Sequence, residues 1–139
     1  MIYYTIYTST PRDEMTEEIL EKITETSVRN NRKRNITGIL LGIENKYLQY
    51  LEGDEEEVKE IFNKIKEDPR HHTVFQWVSG FTNRRVFSQW SMGSWMLSNE
   101  KLDHTDSLKD VSDFIAQPTN DDLQSRKFIK MMHDLLQTW

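Results

Sequence analysis

Large apolar residues alternate or recur at helical spacing in a fixed order along the chain. From Ile2 to Ser9, Ile2, Tyr4 and Ile6 fall on one side and Tyr3, Thr5 and Tyr7 on the other. This pattern predicts a strand with both faces buried, closed by Pro11. Thr16, followed by Glu17 and Glu18, reads as an N-cap with acids in the first turn. Met15, Ile19, Leu20, Ile23 and Ser27 then recur at helical spacing, which predicts an amphipathic helix from Thr16 to Asn30. Asn30-Asn31 stands at its end, and Arg29, Arg32, Lys33 and Arg34 complement a helix C-terminus. The apolar runs Ile36 to Ile43 and Lys46 to Leu51, separated by Glu44-Asn45, predict a hairpin whose second strand closes at Glu52-Gly53. Asp54 and Glu57 form a capping-box-like start to a helix whose stripe is Val58, Ile61, Phe62 and Ile65. Asp68-Pro69 stops that helix. Two more strands follow, Thr73 to Thr82 and Phe87 to Leu97.

The predicted order through residue 97 is β-α-β-β-α-β-β. With helices on one face of a mostly antiparallel sheet, this is an α+β, ferredoxin-like plan with a fifth strand added. Residues 1–97 therefore read as one domain and 98–139 as a helical extension. In the extension, Leu108, Val111, Phe114 and Ile115 predict one short helix. Pro118-Thr119-Asn120 breaks the chain, and Leu123, Phe128, Ile129, Met132, Leu135 and Leu136 predict a second. Their apolar faces must cover the sheet or meet another chain.

Composition narrows the function. The 139 residues include no cysteine, which excludes disulfides, thiolate metal sites and cysteine nucleophiles and suits the cytoplasm. Net charge is −5 and neither part of the chain is basic, which argues against nucleic acid and anionic membranes. With five glycines, no P-loop or dinucleotide fingerprint occurs. No apolar run is long enough to span a bilayer, and the N-terminus lacks the features of a signal peptide.

Most candidate chemistry has a plain structural reading. His71-His72 reads as a loop pair, since adjacent histidines on an extended chain diverge. Asp54 to Glu57 is a helix start and Arg29 to Arg34 a solvated helix end. Polar residues inside apolar segments are different. Tyr7 lies in a core strand, and Gln49 interrupts Tyr47-Leu48-Gln49-Tyr50-Leu51. A buried amide left unsatisfied costs about 1–3 kcal/mol. Together with Asn31, Trp90 and Met92, these residues suit a pocket for a flat heterocycle with a polar edge, although a core strand with one satisfied Gln explains the same pattern.

IYTS around Tyr7, RNNRKRNITGILL from Arg29, LQYLEG around Gln49, IKEDPRHH ending at His72 and RRVFSQWSMG around Trp90 and Met92 occur in an order that resembles the BLUF domain. This is a family of blue-light sensors using FAD, and the resemblance is to its short stand-alone members. It covers residues 1 to about 97 and implies a ferredoxin-like fold with the flavin between two helices. The resemblance implies that Tyr7 is the photoactive electron and proton donor and that Gln49 is the switching amide at the flavin N5/C4=O edge. Asn31 matches the asparagine at the C4=O/N3 edge, and Asn30 a neighbouring polar position. Ser27, Lys64, Asp68, Arg70 and His72 match further pocket positions. Trp90 and Met92 match the strand residues that relay the signal.

The chain is therefore expected to be a photoreceptor and not an enzyme, with no room after Leu97 for a fused cyclase. It is expected to bind FAD non-covalently, to form homo-oligomers and to act on a partner protein that the sequence does not identify. Tyr50 is expected on the sheet face opposite Gln49, and Trp95 against the helices. The alternatives are a ferredoxin-like interaction or ligand-binding module without a flavin photocycle, and a flavoenzyme. Retention of Tyr7, Asn31 and Gln49 argues against the first, and no substrate base supports the second.

Overall fold

The computed structural model describes residues 1–43, 45–85, 87 and 91–97. The two helices expected in 98–139, and Trp90, lie outside the described residues. The elements are β1 (Ile2–Pro11), α1 (Glu17–Arg34), β2 (Thr37–Ile43), β3 (Lys46–Gly53), α2 (Glu55–Glu67), β4 (His71–Thr82) and β5 (Gly93–Leu97). They form one sheet in the order β4-β1-β3-β2-β5. Among the first four strands every neighbouring pair is antiparallel, and β5 joins the edge parallel to β2. The order is that of a ferredoxin-like sheet with one added strand, as the pattern predicts.

Local chemistry explains most boundaries. Thr16 caps α1, its hydroxyl accepting from the Ile19 N–H at 3.2 Å. The helix passes the expected end at Asn30 and runs to Arg34, where Asn35 closes it in the left-handed region at φ 55. That extra turn makes Asn31 a helical residue. Asn45 takes φ 60 in the two-residue turn that pairs Ile43 with Lys46, as expected of an Asn-containing hairpin. The capping box expected at Asp54 does not form. Asp54 makes no side-chain cap bond, and Glu57 reaches across to Arg34 at 2.8 Å. Arg34 also meets Glu60 at 3.1 Å, so one guanidinium joins the two helices. The first strand extends to Pro11, because Thr10 and Pro11 pair with His72 and His71. The histidines thus start β4 instead of lying in a loop. The last strand is shorter than expected: it begins at Gly93, and Met92 precedes it.

Both faces of the central strands are buried. Tyr3, Tyr7, Leu40, Tyr47 and Leu51 pack with Leu20 of α1 and with Val58 and Phe62 of α2. On the other face Ile6, Ile39, Leu41, Leu48 and Tyr50 are fully buried. Tyr50 stacks on Tyr4 with ring centroids 5.7 Å apart, which places it opposite Gln49 as alternation requires. Gly38 permits the hairpin to close, since a Cβ there would run into the Tyr50 carbonyl oxygen. Gly38→Ala is therefore expected to destabilise the fold by about 3 kcal/mol and lower the thermal midpoint by about 10 °C. Calorimetry checks this, and a midpoint within a degree or two of wild type would refute the close approach.

Candidate functional site

Between α1, the C-terminal end of α2 and the helix-facing side of the sheet lies a cavity of about 350 Å³. Its size lies in the range of small-molecule sites, ~300–1,000 Å³. Two periodicities build its wall. Every second residue of β1 and β3 supplies Tyr7, Ser9, Tyr47 and Gln49, and successive turns of α1 supply Ile19, Ile23 and Ser27. Asp68, Arg70 and His71 close the end near α2.

Tyr7 and Gln49 are direct register partners on neighbouring strands. Such pairs stand side by side on one face, with Cβ atoms ~4.5–5.5 Å apart. Both are buried, at 2% and 5% exposure. The Tyr7 ring lies against Phe62 at 5.1 Å, and burial, followed by the negative charge of Asp68, pushes its phenol pKa well up, so it holds its proton. Gln49 donates through Nε2 to the Met92 sulfur at 3.6 Å. Neither the Tyr7 hydroxyl nor the Gln49 side-chain oxygen has a hydrogen-bond partner among the described residues. Asn31, 2% exposed, donates through Nδ2 to the Ser91 carbonyl at 2.8 Å, and its Oδ1 likewise lacks a partner there. Buried polar atoms are nearly always paired. Two such atoms, on Tyr7 and Gln49, stand open on the cavity, and that of Asn31, which is not part of the wall, is open beside the segment holding Met92. The first two fit a ligand with both donors and acceptors on its edge, as a flavin ring has.

The remaining expected site residues divide. Ser27, Asp68 and Arg70 line the cavity. Arg70 Nε lies 3.0 Å from each oxygen of Asp68, and this pairing pulls the Asp68 carboxyl below its usual range. Asn30, Lys64 and His72 are exposed and outside the wall. Lys64 approaches Glu60 at 3.7 Å, and His72 Nδ1 lies 2.8 Å from the Thr73 hydroxyl. Met92 is buried against the same core, and Trp90 lies outside the described residues.

His71 has a place at the wall that the sequence reading did not give it. Its Nε2 faces the Ile65 carbonyl and its Nδ1 the Ser9 hydroxyl at 2.8 Å. A nitrogen facing a carbonyl must carry the proton, so the neutral ring donates from Nε2 and accepts from Ser9 at Nδ1. The ring thereby ties α2, β4 and β1 together. Strand alternation leading back from β4 to Ser9 was the only signal for it, and the histidine pair hid which of the two pointed inward.

Among the described residues no helix is long and apolar enough to cross a membrane. The blue light- and temperature-regulated antirepressor BluF of Escherichia coli (strain K12) is 34% identical over 92 residues, 66% of this chain and 23% of that protein. The photoactivated adenylate cyclase subunit beta of Euglena gracilis is 32% identical over 99 residues, 70% of this chain and 11% of that protein. The chain thus spans less than a quarter of the length of these relatives. In fold it is similar to BlrB, a BLUF protein in its dark state, with a TM-score of 0.76 at 22% identity over 96% of each chain. Residues 2–93 match the model of the family described as sensors of blue light using FAD, so the chain belongs to the flavin-binding BLUF family.

Proposed function

We propose that this chain is a blue-light photoreceptor that binds FAD non-covalently and controls a partner protein through a hydrogen-bond switch at Gln49. The observation that carries the reading is the buried register pair of Tyr7 and Gln49, both on one cavity and both with oxygens that lack a partner among the described residues. The family's description supports FAD as the flavin. In this reading Asn31, Gln49, Ser27, Asp68 and Arg70 hold the cofactor. Asn30, Lys64 and His72, exposed beyond the wall, face the part of FAD that a cavity of this size leaves outside. Residues 1–97 are the flavin-binding domain and 98–139 the output region. The acidic net charge of −5 supports output through protein contact, a second copy of the chain included, over nucleic acid or a membrane. The chain acts as a sensor rather than an enzyme, in the cytoplasm.

Bound flavin supplies absorption of blue light and a strongly oxidising excited state. Of the two phenols in the wall, Tyr7 and Tyr47, Tyr7 is the one paired in register with Gln49 and so suited to answer it. With flavin bound, the neutral, desolvated phenol would lend it an electron and, through the Gln49 amide, its Oη proton, and both would return to Tyr7, so that the cycle leaves no net redox change. Gln49 then exchanges its ends. An amide has a donor and an acceptor at the same reach, so rotation or tautomerisation changes which group faces the ligand and which faces Met92. A shorter Asn would fall one methylene short, and an ionised Glu would have no donor. The contact to the Met92 sulfur is weak and ends without large cost. A hydrogen-bond exchange of about 1 kcal/mol shifts a two-state equilibrium roughly fivefold, enough to bias a partner and too little to unfold an element.

Absorption of the purified protein tests this. Flavin bands that move to the red under blue light without bleaching, and return in the dark, are the expected result. Protein that neither carries nor takes up FAD would leave the ligand-free interaction module.

A further inference from the structure

The buried acid on the far side of the sheet takes no part in the cavity, yet it holds Phe87, five residues before Met92. Glu52 is fully buried on β3, three residues after Gln49 and on the opposite face. Three donors converge on its carboxylate: the Thr37 hydroxyl at 2.8 Å, the Tyr50 hydroxyl at 3.2 Å and the Phe87 backbone N–H at 2.7 Å. The Phe87 ring stands edge-on to Tyr50, centroids 5.1 Å apart. Arg85 secures the same corner, with Nη1 on the Thr37 hydroxyl at 2.9 Å and on the Glu52 carbonyl at 3.3 Å, and Nη2 on the Asn35 carbonyl at 2.6 Å.

A carboxylate out of water is costly unless paired, and an apolar residue of similar volume would fill the slot without that cost. What an apolar residue cannot do is hold the Phe87 N–H. Four residues on, the Ser91 carbonyl is held by Asn31, and Met92 is held by Gln49, both from the cavity side. One strand therefore holds both Phe87, through Glu52 behind the sheet, and Met92, through Gln49 in front.

We propose that Glu52 is a positioning residue: by anchoring Phe87 from behind the sheet, it sets where Met92 meets Gln49. The inference rests on the reading of Gln49 and Met92 as the responsive pair. Leu at position 52 leaves the Phe87 N–H, and with it the Thr37 and Tyr50 hydroxyls, without this acceptor, whereas Gln keeps an amide oxygen, so the pair of variants reads the loss of the acceptor at similar side-chain size.

The test uses the flavin-loaded full chain with carbon-13 methyl labels on methionine, the Met92 signal being identified by its loss in Met92→Leu. Glu52→Leu is expected to shift the dark Met92 methyl resonance and change the dark-recovery rate by about fivefold, the effect of one hydrogen bond. Glu52→Gln, whose neutral amide oxygen is the weaker acceptor, is expected to bring both most of the way back to wild type, with the flavin still bound in each variant. A Met92 resonance in Glu52→Leu that coincides with wild type overturns the proposal. Should that variant fail to fold, Phe87 amide exchange and the Met92 signal are compared between wild type and Glu52→Gln. Faster exchange with a partial Met92 shift supports the coupling, and any other result refutes it. A wild-type protein without a light-induced red shift would defeat the photoreceptor reading separately, since the Met92 comparison in the dark still decides the role of Glu52.

Discussion

Tyr7→Phe is expected to abolish the light-induced red shift completely while flavin stays bound and the dark spectrum stays near wild type. The phenol contributes two separable things, a ring and a hydroxyl. The ring packs against Phe62 at 5.1 Å, inside a core that includes Leu40 and Tyr47. Phe keeps that packing at almost the same volume. The hydroxyl is buried without a partner among the described residues, and it is the proton source that the reading requires. Removing it takes away the donor and leaves the cavity shape. The same variant carries a thermodynamic signature that needs no light. An unpaired buried hydroxyl costs on the order of 1–3 kcal/mol, so flavin-free Tyr7→Phe should be more stable than flavin-free wild type, by about 1 kcal/mol. Denaturant titration of both proteins measures this. A retained red shift would remove Tyr7 as the donor, and a loss of stability of several kcal/mol would mean that the hydroxyl has a partner after all.

Much of this site is legible before any coordinates. Tyr7 and Gln49 announce themselves as polar residues in apolar strands, and period-2 alternation places Tyr50 on the other face. The helix stripe likewise puts Ser27 and Ile23 toward the sheet. What alternation does not contain is which strand lies beside which. The register pairing of Tyr7 with Gln49 depends on β3 inserting between β1 and β2, a tertiary choice made by burial of both faces. The extra turn of α1 was hidden because Asn30, Asn31, Arg32 and Lys33 are polar in a row and carry no stripe. The αL cap at Asn35, next to the first residue of the following apolar run, was the available signal. Glu57 read as a capping residue because the local pattern fits, and Arg34, 23 residues earlier, outcompeted the backbone for it. Glu52 closed a strand in the sequence reading. Its burial follows from Thr37, Tyr50 and Phe87, donors that only the folded sheet brings together.

Gln49→Leu separates the cavity from the segment that leads away from it. Among the described residues Gln49 is the wall residue with a hydrogen bond to Met92, its side-chain oxygen has no partner there, and it lines the same cavity as Tyr7. Leucine matches its volume and removes donor and acceptor together. The expected result is a protein that binds flavin, absorbs blue light and shows no reversible red shift, because no amide remains to exchange its ends. Asn31 still holds the Ser91 carbonyl, so the backbone beside Met92 stays in place, and fold stability falls by less than about 1 kcal/mol. That small change distinguishes loss of a switch from loss of structure. Met92 provides the second readout. In wild type its methyl resonance should differ between dark and illuminated states; in Gln49→Leu it should take one position in both. If it still moves with light, the signal reaches β5 by a route that bypasses the amide, and Asn31, which touches the same segment from α1, becomes the residue to replace next.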